Sequence, residues 1–207
     1  MSMHKLGKLD VSRETIERLE HYAELLAKWN PRINLISAGD LGVLWERHFI
    51  DSAQVFVAGN ATDGAWADLG SGGGFPGLVV AILSKDFGRK TTVTLVESDA
   101  RKAVFLRTAA RETGVDVDVL NRRIEKIEPL NAGIVSARAL ADLDTLFGYC
   151  EMHLAEDGLG VFPKGRTWQD EIRKAKLRWS FEYEAIKSRT DEDSVVLRIE
   201  RLVRVKS

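Results

Sequence analysis

Five glycines fall within the eight positions Gly70-Ser71-Gly72-Gly73-Gly74-Phe75-Pro76-Gly77, directly after the apolar run Ala65–Leu69. Without a Cβ, such a segment can turn sharply, adopt positive φ and come into contact with a ligand that side chains would push away. Its chemistry is therefore the cradling of a cofactor. Glu97 stands 27 positions after Gly70, at the end of the β-branched, apolar run Thr92–Val96. An acid there accepts hydrogen bonds from the two hydroxyls of a ribose; the plainer alternative is a surface acid at a strand end. Arg138, in Ser136-Ala137-Arg138-Ala139, and Lys164, in Lys164-Gly165, each follow a further short apolar run. The planar fork of Arg138 suits a carboxylate or a phosphate, unless Asp142 holds it in a structural ion pair. Lys164 at the same edge could hold a substrate phosphate. His48 lies beside Asp51 and Ser52 at helical spacing and reads more readily as a core-edge histidine than as a catalyst.

The elements that must position these residues alternate. Ser12 is an N-cap for a helix whose stripe is Ile16, Leu19, Tyr22, Ala23, Leu26 and Trp29, with Asn30-Pro31 expected to stop it. A second helix is expected from Asp40 to about Val57, so residues 1–60 read as a helical N-terminal extension. From there, strands are expected at 65–69, 92–96, 115–120, 133–136 and 158–162, with helices at 76–83, 99–113, 141–154 and 168–178. This order argues for a parallel sheet covered on both faces. Strands at 181–186 and 195–203 are joined by Arg189-Thr190-Asp191-Glu192-Asp193, too short for a crossover helix, so they must pair antiparallel.

Composition narrows the setting. The chain has 207 residues, 44% apolar and 29% charged, as expected of one sizeable globular α/β unit. A single cysteine, Cys150, and four scattered histidines offer neither an internal disulfide nor a metal-ligand cluster, so a reducing cytoplasm and no metal are expected. No signal peptide or membrane span is expected. Net charge is −1, yet residues 164–207 carry 12 basic and 8 acidic side chains. That basic tail fits either a nucleic-acid phosphate backbone or a solvated helix.

Two motif readings compete at the glycines. Gly72, Gly74 and Gly77 match the dinucleotide pattern G-x-G-x-x-G. Asp68, Gly70, Gly72 and Gly74 instead resemble motif I of the S-adenosylmethionine (SAM) methyltransferases. Pro76 favours the second register, because a proline deep in a phosphate-binding turn would remove an N–H donor. In that fold the loop after the third strand, Asn121-Arg122-Arg123-Ile124-Glu125, holds adenine. Ile124 and Glu125 are then candidates, although Glu125 could simply begin a short helical turn.

Over nearly its whole length the chain resembles the RsmG (formerly GidB) family of 16S ribosomal RNA methyltransferases. The matching segments are Lys28-Trp29-Asn30 through Asn34-Leu35, Arg47-His48-Phe49-Ile50-Asp51-Ser52, Asp68 to Gly77, Val96-Glu97-Ser98 with Lys102 and Phe105-Leu106, Val135 to Ala139, and Lys164-Gly165. It departs at Ile36-Ser37, where the family commonly continues Asn-Leu with Thr, and at Ala137, which interrupts a common Ser-Arg-Ala. The resemblance implies an α/β class I SAM-dependent methyltransferase (Rossmann-like) fold. That fold is a mostly parallel seven-stranded sheet with an antiparallel last strand, over residues 61–207, in one compact unit with the extension. It implies SAM as cofactor, bound by Gly70, Phe75, Ile124, Glu125 and Arg138, and the glycine pattern and the strand-end acid add Gly72 and Glu97 to the expected cofactor site. It also implies methyl transfer to N7 of a guanine (position 527 in standard rRNA numbering) in the 530 loop of 16S rRNA. His48, Arg123, Lys164 and Arg166 are candidate RNA contacts, and no catalytic acid or base is expected. The partner is 16S rRNA, the small ribosomal subunit or its assembly intermediate, and the protein is expected to be a monomer. The rivals are a SAM-binding assembly module without turnover, an NAD-dependent oxidoreductase and a small-molecule methyltransferase.

Overall fold

The computed structural model describes residues 3–60 and 63–205. A short hairpin, β1 (Met3–Leu6) and β2 (Leu9–Ser12), opens the chain and was not foreseen in the extension. Helix α1 (Arg13–Ile33) begins where expected, with the Ser12 hydroxyl accepting from the Thr15 amide at 3.2 Å. It does not stop at Asn30-Pro31. Proline in the last turn costs only one internal hydrogen bond, so the helix runs on to Ile33 and ends at Asn34, whose φ is 53°. The Asn30 side-chain oxygen then accepts from the amides of Leu35 (2.7 Å) and Ile36 (2.9 Å), which turns the departing chain.

The single helix expected over 40–57 is three pieces: a 3₁₀ stretch Ala38–Val43, a π-helical turn Trp45–Ile50, and α2 (Asp51–Ala58). A π turn closes its hydrogen bonds over five residues rather than four, and so widens each turn of the backbone. Leu44 and Phe49, five apart, can therefore both reach the core, and His48 is buried beside them.

The remaining elements are β3 (Gly64–Leu69), α3 (Gly77–Asp86), β4 (Thr91–Val96), α4 (Ala100–Thr113), β5 (Val117–Leu120), β6 (Ala132–Ser136), α5 (Leu143–His153), β7 (Leu154–Lys164), α6 (Trp168–Ala175), β8 (Trp179–Lys187) and β9 (Val195–Arg204). They build one sheet in the order β5-β4-β3-β6-β7-β9-β8. Strands β3 to β7 are parallel, and β9 runs antiparallel between β7 and β8. Tyr22, Phe49 and Phe56 from the extension share one core with Leu78 and Ile82 of α3 and Phe105 of α4. The opposite face is filled by Phe147, Ile172 and Trp179. No described helix is long and apolar enough to cross a membrane. Strand order reverses between β3 and β6, and in an open parallel sheet the crevice for a ligand forms beyond the carboxyl ends at that point.

Candidate active site

A cleft of about 580 Å³ opens there, lined by the glycine loop, the ends of β4 and β5, and the π-helical turn. Gly70 (φ +67°), Gly72 (+56°) and Gly74 (+94°) all occupy the left-handed region. At Gly70 a Cβ would lie 2.6 Å from Leu140, whereas at Gly72 it would meet only the Gly70 carbonyl, at 3.8 Å. The wall at Gly72 is bare backbone facing open space.

The loop's amides discriminate between the two motif readings. Ser71 N–H donates to Val96, Gly72 N–H to the Glu97 carboxylate, Gly74 and Phe75 N–H to the Ser71 carbonyl, and Gly77 N–H to the Asp68 carboxylate. Binding a pyrophosphate here would need such N–H groups free and convergent, and these are used within the protein.

Glu97 is the link between two loops. Its Oε2 accepts from Gly72 N–H at 2.9 Å and its Oε1 from Asp99 N–H at 2.7 Å, and the residue is 8% exposed. Asp99 in turn caps α4. Asp68, fully buried, accepts from the Ser136 hydroxyl at 2.7 Å, and Ser136 takes the Trp66 indole N–H at 2.9 Å, so β3 and β6 are clamped side by side. Burial pushes the Asp68 carboxyl up to about 6, against the pull of these hydrogen bonds.

Arg138 does not pair with Asp142, which caps α5 instead. Its guanidinium donates to the Arg47 carbonyl at 3.0 Å and to His48 Nδ1, and lies 5.1 Å from the centre of the Phe75 ring. The His48 ring sits 4.8 Å from the same phenyl. Burial first, then the Arg138 charge, push the His48 imidazole down to about 4. Neutral His48 thus accepts at Nδ1 and carries its proton on Nε2, 3.4 Å from Asp40 Oδ2.

Two expectations follow for His48. Activity measured between about pH 6 and 8.5 should keep the same pH dependence in His48→Ala, and a limb near the ordinary histidine pKa of about 6.5 that vanished in the variant would contradict this. For stability, a histidine whose folded pKa lies below its unfolded value contributes fully above about pH 6.5, and that contribution is lost as pH falls toward about 4. Asp68 acts in the opposite sense over an overlapping range, so the comparison must be between wild type and His48→Gln. Denaturant unfolding should show wild type losing more stability than the variant between pH 7 and pH 5.

Ile124 and Glu125 border the same cleft. Glu125 does lie in a short 3₁₀ turn, Ile124–Lys126, which Ile124 begins, and its carboxylate also accepts from Tyr149 Oη at 2.9 Å. Its own backbone N–H, then Tyr149, hold that carboxyl below the usual range. Arg47, Lys102, Arg122 and Arg123 stand on the rim. Lys164 lies elsewhere, in an adjoining cleft, with its ammonium tied to Glu171 (2.8 Å) and the Ala141 carbonyl (2.7 Å). Arg166 is exposed beyond it. In the basic tail, Arg173 pairs with Asp170 and Arg178 with Asp144, so part of that charge is neutralised on the protein's own surface. Sequence reasoning missed Tyr22, Tyr149, Asp40 and Leu140 as walls or supports. Tyr22 lay in the helical stripe with no local sign that its hydroxyl would reach the Gly73 carbonyl.

Residues 15–195 match the family described as rRNA small subunit methyltransferase G (GidB). A protein of Ruegeria sp. (strain TM1040) named ribosomal RNA small subunit methyltransferase G is 52% identical over 198 residues, covering 96% of each chain. One of the same name from Ruegeria pomeroyi is 52% identical over 206 residues, covering 99% of this chain and 100% of its own. The chain belongs to this family. Among solved structures, the ribosomal protein L11 methylase of Lactobacillus delbrueckii subsp. bulgaricus aligns with a TM-score of 0.60 at 17% identity, over 75% of this chain and 78% of its own. M. jannaschii TYW2, solved in complex with AdoMet, gives 0.55 at 13% identity, over 82% and 78%. At such identities the likeness is one of fold, and the fold is that of the class I SAM-dependent methyltransferases. Within the methyltransferase G family chain, seven residues expected at the cofactor gather as follows: Gly70, Gly72, Phe75, Glu97, Ile124, Glu125 and Arg138 all border the larger cleft. Of the four expected RNA contacts, His48 and Arg123 border it and Lys164 and Arg166 do not.

Proposed function

We propose that this protein transfers a methyl group from SAM to N7 of a guanine in the 530 loop of 16S rRNA, acting as a monomer in the cytoplasm. Membership of the methyltransferase G family supports rRNA as the acceptor and SAM as the cofactor. The observation that carries the site assignment is the glycine loop in which the amides of Ser71, Gly72, Gly74, Phe75 and Gly77 are spent internally, with the Glu97 carboxylate drawn up against it. Such a loop accommodates a nucleoside without a pyrophosphate.

The residues present fit SAM. The bare backbone at Gly72 leaves room for the ligand, Glu97 can accept from ribose hydroxyls, and Ile124 offers an apolar surface to adenine with the Glu125 carboxylate near its amine. Arg138 supplies a cation for the methionine carboxylate. Bound SAM supplies a methyl group activated on a sulfonium. Guanine N7 carries an in-plane lone pair and no proton, so this chain needs no general base, and neutral, hydrogen-bonded His48 is not asked to be one. What the protein contributes is placement, worth up to about 7–11 kcal/mol when reacting groups are held in line. Arg47, Lys102, Arg122 and Arg123 at the rim would hold RNA phosphates, making acceptor binding salt-dependent. The acceptor base must be unstacked to enter, which an unpaired loop allows at lower cost.

The test is transfer of tritiated methyl from SAM to small subunits lacking the modification and to naked 16S rRNA, with the labelled nucleotide located by nuclease digestion. A single 7-methylguanosine in the 530 loop is the expected result. Label on another base or atom would overturn the reading, and SAM binding without transfer would favour an assembly module.

A further inference from the structure

We propose that the second cleft receives the acceptor guanine and that the Asp51 carboxylate reads it through Oδ2, which accepts from N1–H and the exocyclic N2 amine. This rests on the guanine reading above and adds how the base is told from adenine. The second cleft, about 360 Å³, falls within the usual range for a small-molecule site and adjoins the cofactor cleft through shared Asp51, Arg138 and Ala139. A base held in one cleft can therefore meet a methyl group held in the other. Pro163, Val195 and Val196 give it flat apolar walls suited to a purine ring.

Its polar groups are unequal. Lys164 and Glu171 satisfy each other, with Glu171 also accepting from Leu143 N–H and Lys164 donating to Ala141, so that pair offers little to a ligand. Asp51 uses only Oδ1, which accepts from the Thr190 hydroxyl and from Gln54 Nε2 at 3.2 Å. Its Oδ2 has no hydrogen-bond donor among the described residues. The carboxylate is also aimed from behind: the β8–β9 connection that supplies Thr190 is itself held by Arg189 N–H donating to Gln54 Oε1 at 2.9 Å. Lys164 is held by Glu171 and Arg138 is turned to Arg47 and His48, so the two cations of this cleft are engaged and the sugar-phosphate chain is left to the basic rim.

Around a guanine the edge runs N7, O6, N1–H, N2–H₂. With N7 turned toward the cofactor, the two adjacent donors face away from it, and a carboxylate is the acceptor that matches them. Adenine presents N1 as an acceptor at that position, so its lone pair would face the anion and the carboxylate would stay desolvated without a donor.

The experiment uses small subunits reconstituted from ligated 16S rRNA bearing either guanosine or inosine at the methylated position. Inosine keeps N7 and N1–H and lacks only the N2 amine. Wild type is expected to favour guanosine in kcat/KM by about 10- to 100-fold, the range for a hydrogen bond to a charged group. Asp51→Asn is expected to lower turnover of guanosine and bring the two acceptors near parity. Thr190→Val removes the same connection's contact but leaves the carboxylate, and is expected to lower both acceptors while keeping most of the preference. A wild-type ratio near one, or an equal loss on both acceptors in Asp51→Asn, would overturn the inference while leaving the methylation reading intact. Wild type that labels no N7 on the guanosine acceptor would overturn that reading and this one with it.

Discussion

Glu97→Gln is expected to weaken SAM binding by about 10- to 100-fold, measured by titration calorimetry, with thermal unfolding still cooperative. Both carboxylate oxygens are in use, one on Gly72 N–H at 2.9 Å and one on Asp99 N–H at 2.7 Å. An amide can present only one oxygen, so one of these N–H groups would face an NH₂ group instead. Hydrogen bonds to a charged acceptor are worth about 1.5–3 kcal/mol, and a nearly buried donor left unsatisfied costs a similar amount. The loss falls on the cofactor because Glu97 fixes the spacing between the loops after β3 and β4, and because the same carboxylate offers its remaining lone pairs to the ribose. Unchanged affinity would show that Glu97 only braces the loops and that the ribose is held elsewhere.

Gly74→Ala is expected to be the more damaging to the fold, by about 3 kcal/mol. A Cβ at Gly74 would stand 2.4 Å from the Tyr22 hydroxyl and 3.1 Å from Leu78, at a φ of +94°. Tyr22 cannot step aside, because it is fully buried, stacks on Phe75 at 5.4 Å between ring centres, and donates to the Gly73 carbonyl. Overpacking of a filled core costs about 1–3 kcal/mol, and the left-handed backbone adds about 1–2 kcal/mol for a residue with a Cβ. For a chain of this size that corresponds to a fall in Tm of about 6–12 °C. Gly88→Ala isolates the backbone part, since Gly88 has φ +63° and nothing within 4 Å of the added atom. It should cost only about 1–2 kcal/mol. Equal losses in the two variants would mean that the Tyr22 contact relaxes freely.

Much of the architecture was legible because it rests on local signals. The seven strands of the main sheet and the helices among them fall within a few residues of the positions that alternation and periodicity indicate, and Ser12 sits at the helix start its chemistry suits. The antiparallel final pair followed from the length of its turn alone. Where local rules competed with burial they failed: Pro31 was overruled at the end of α1, and the segment 38–58 gave up a single α-helix so that Leu44, His48 and Phe49 could all face inward.

The residue types of the cofactor site were also readable, since glycines in a turn and an acid at a strand end announce themselves over a short span. Their partners were not. Arg138 is bound to His48 from 90 positions away rather than to nearby Asp142, and Asp51 is oriented by Thr190 from 139 positions away. Lys164, read as a free phosphate ligand, is claimed by Glu171 seven positions on, across the loop into α6. A sequence by itself determines what each short segment prefers, because propensity, turn chemistry and capping act over a few residues. Which charged group is left free to meet a ligand is decided by which strands become neighbours and what their ends bring together. In this protein only the tertiary structure spent the Gly72 amide on Glu97, closed Lys164 and left one oxygen of Asp51 open between two clefts.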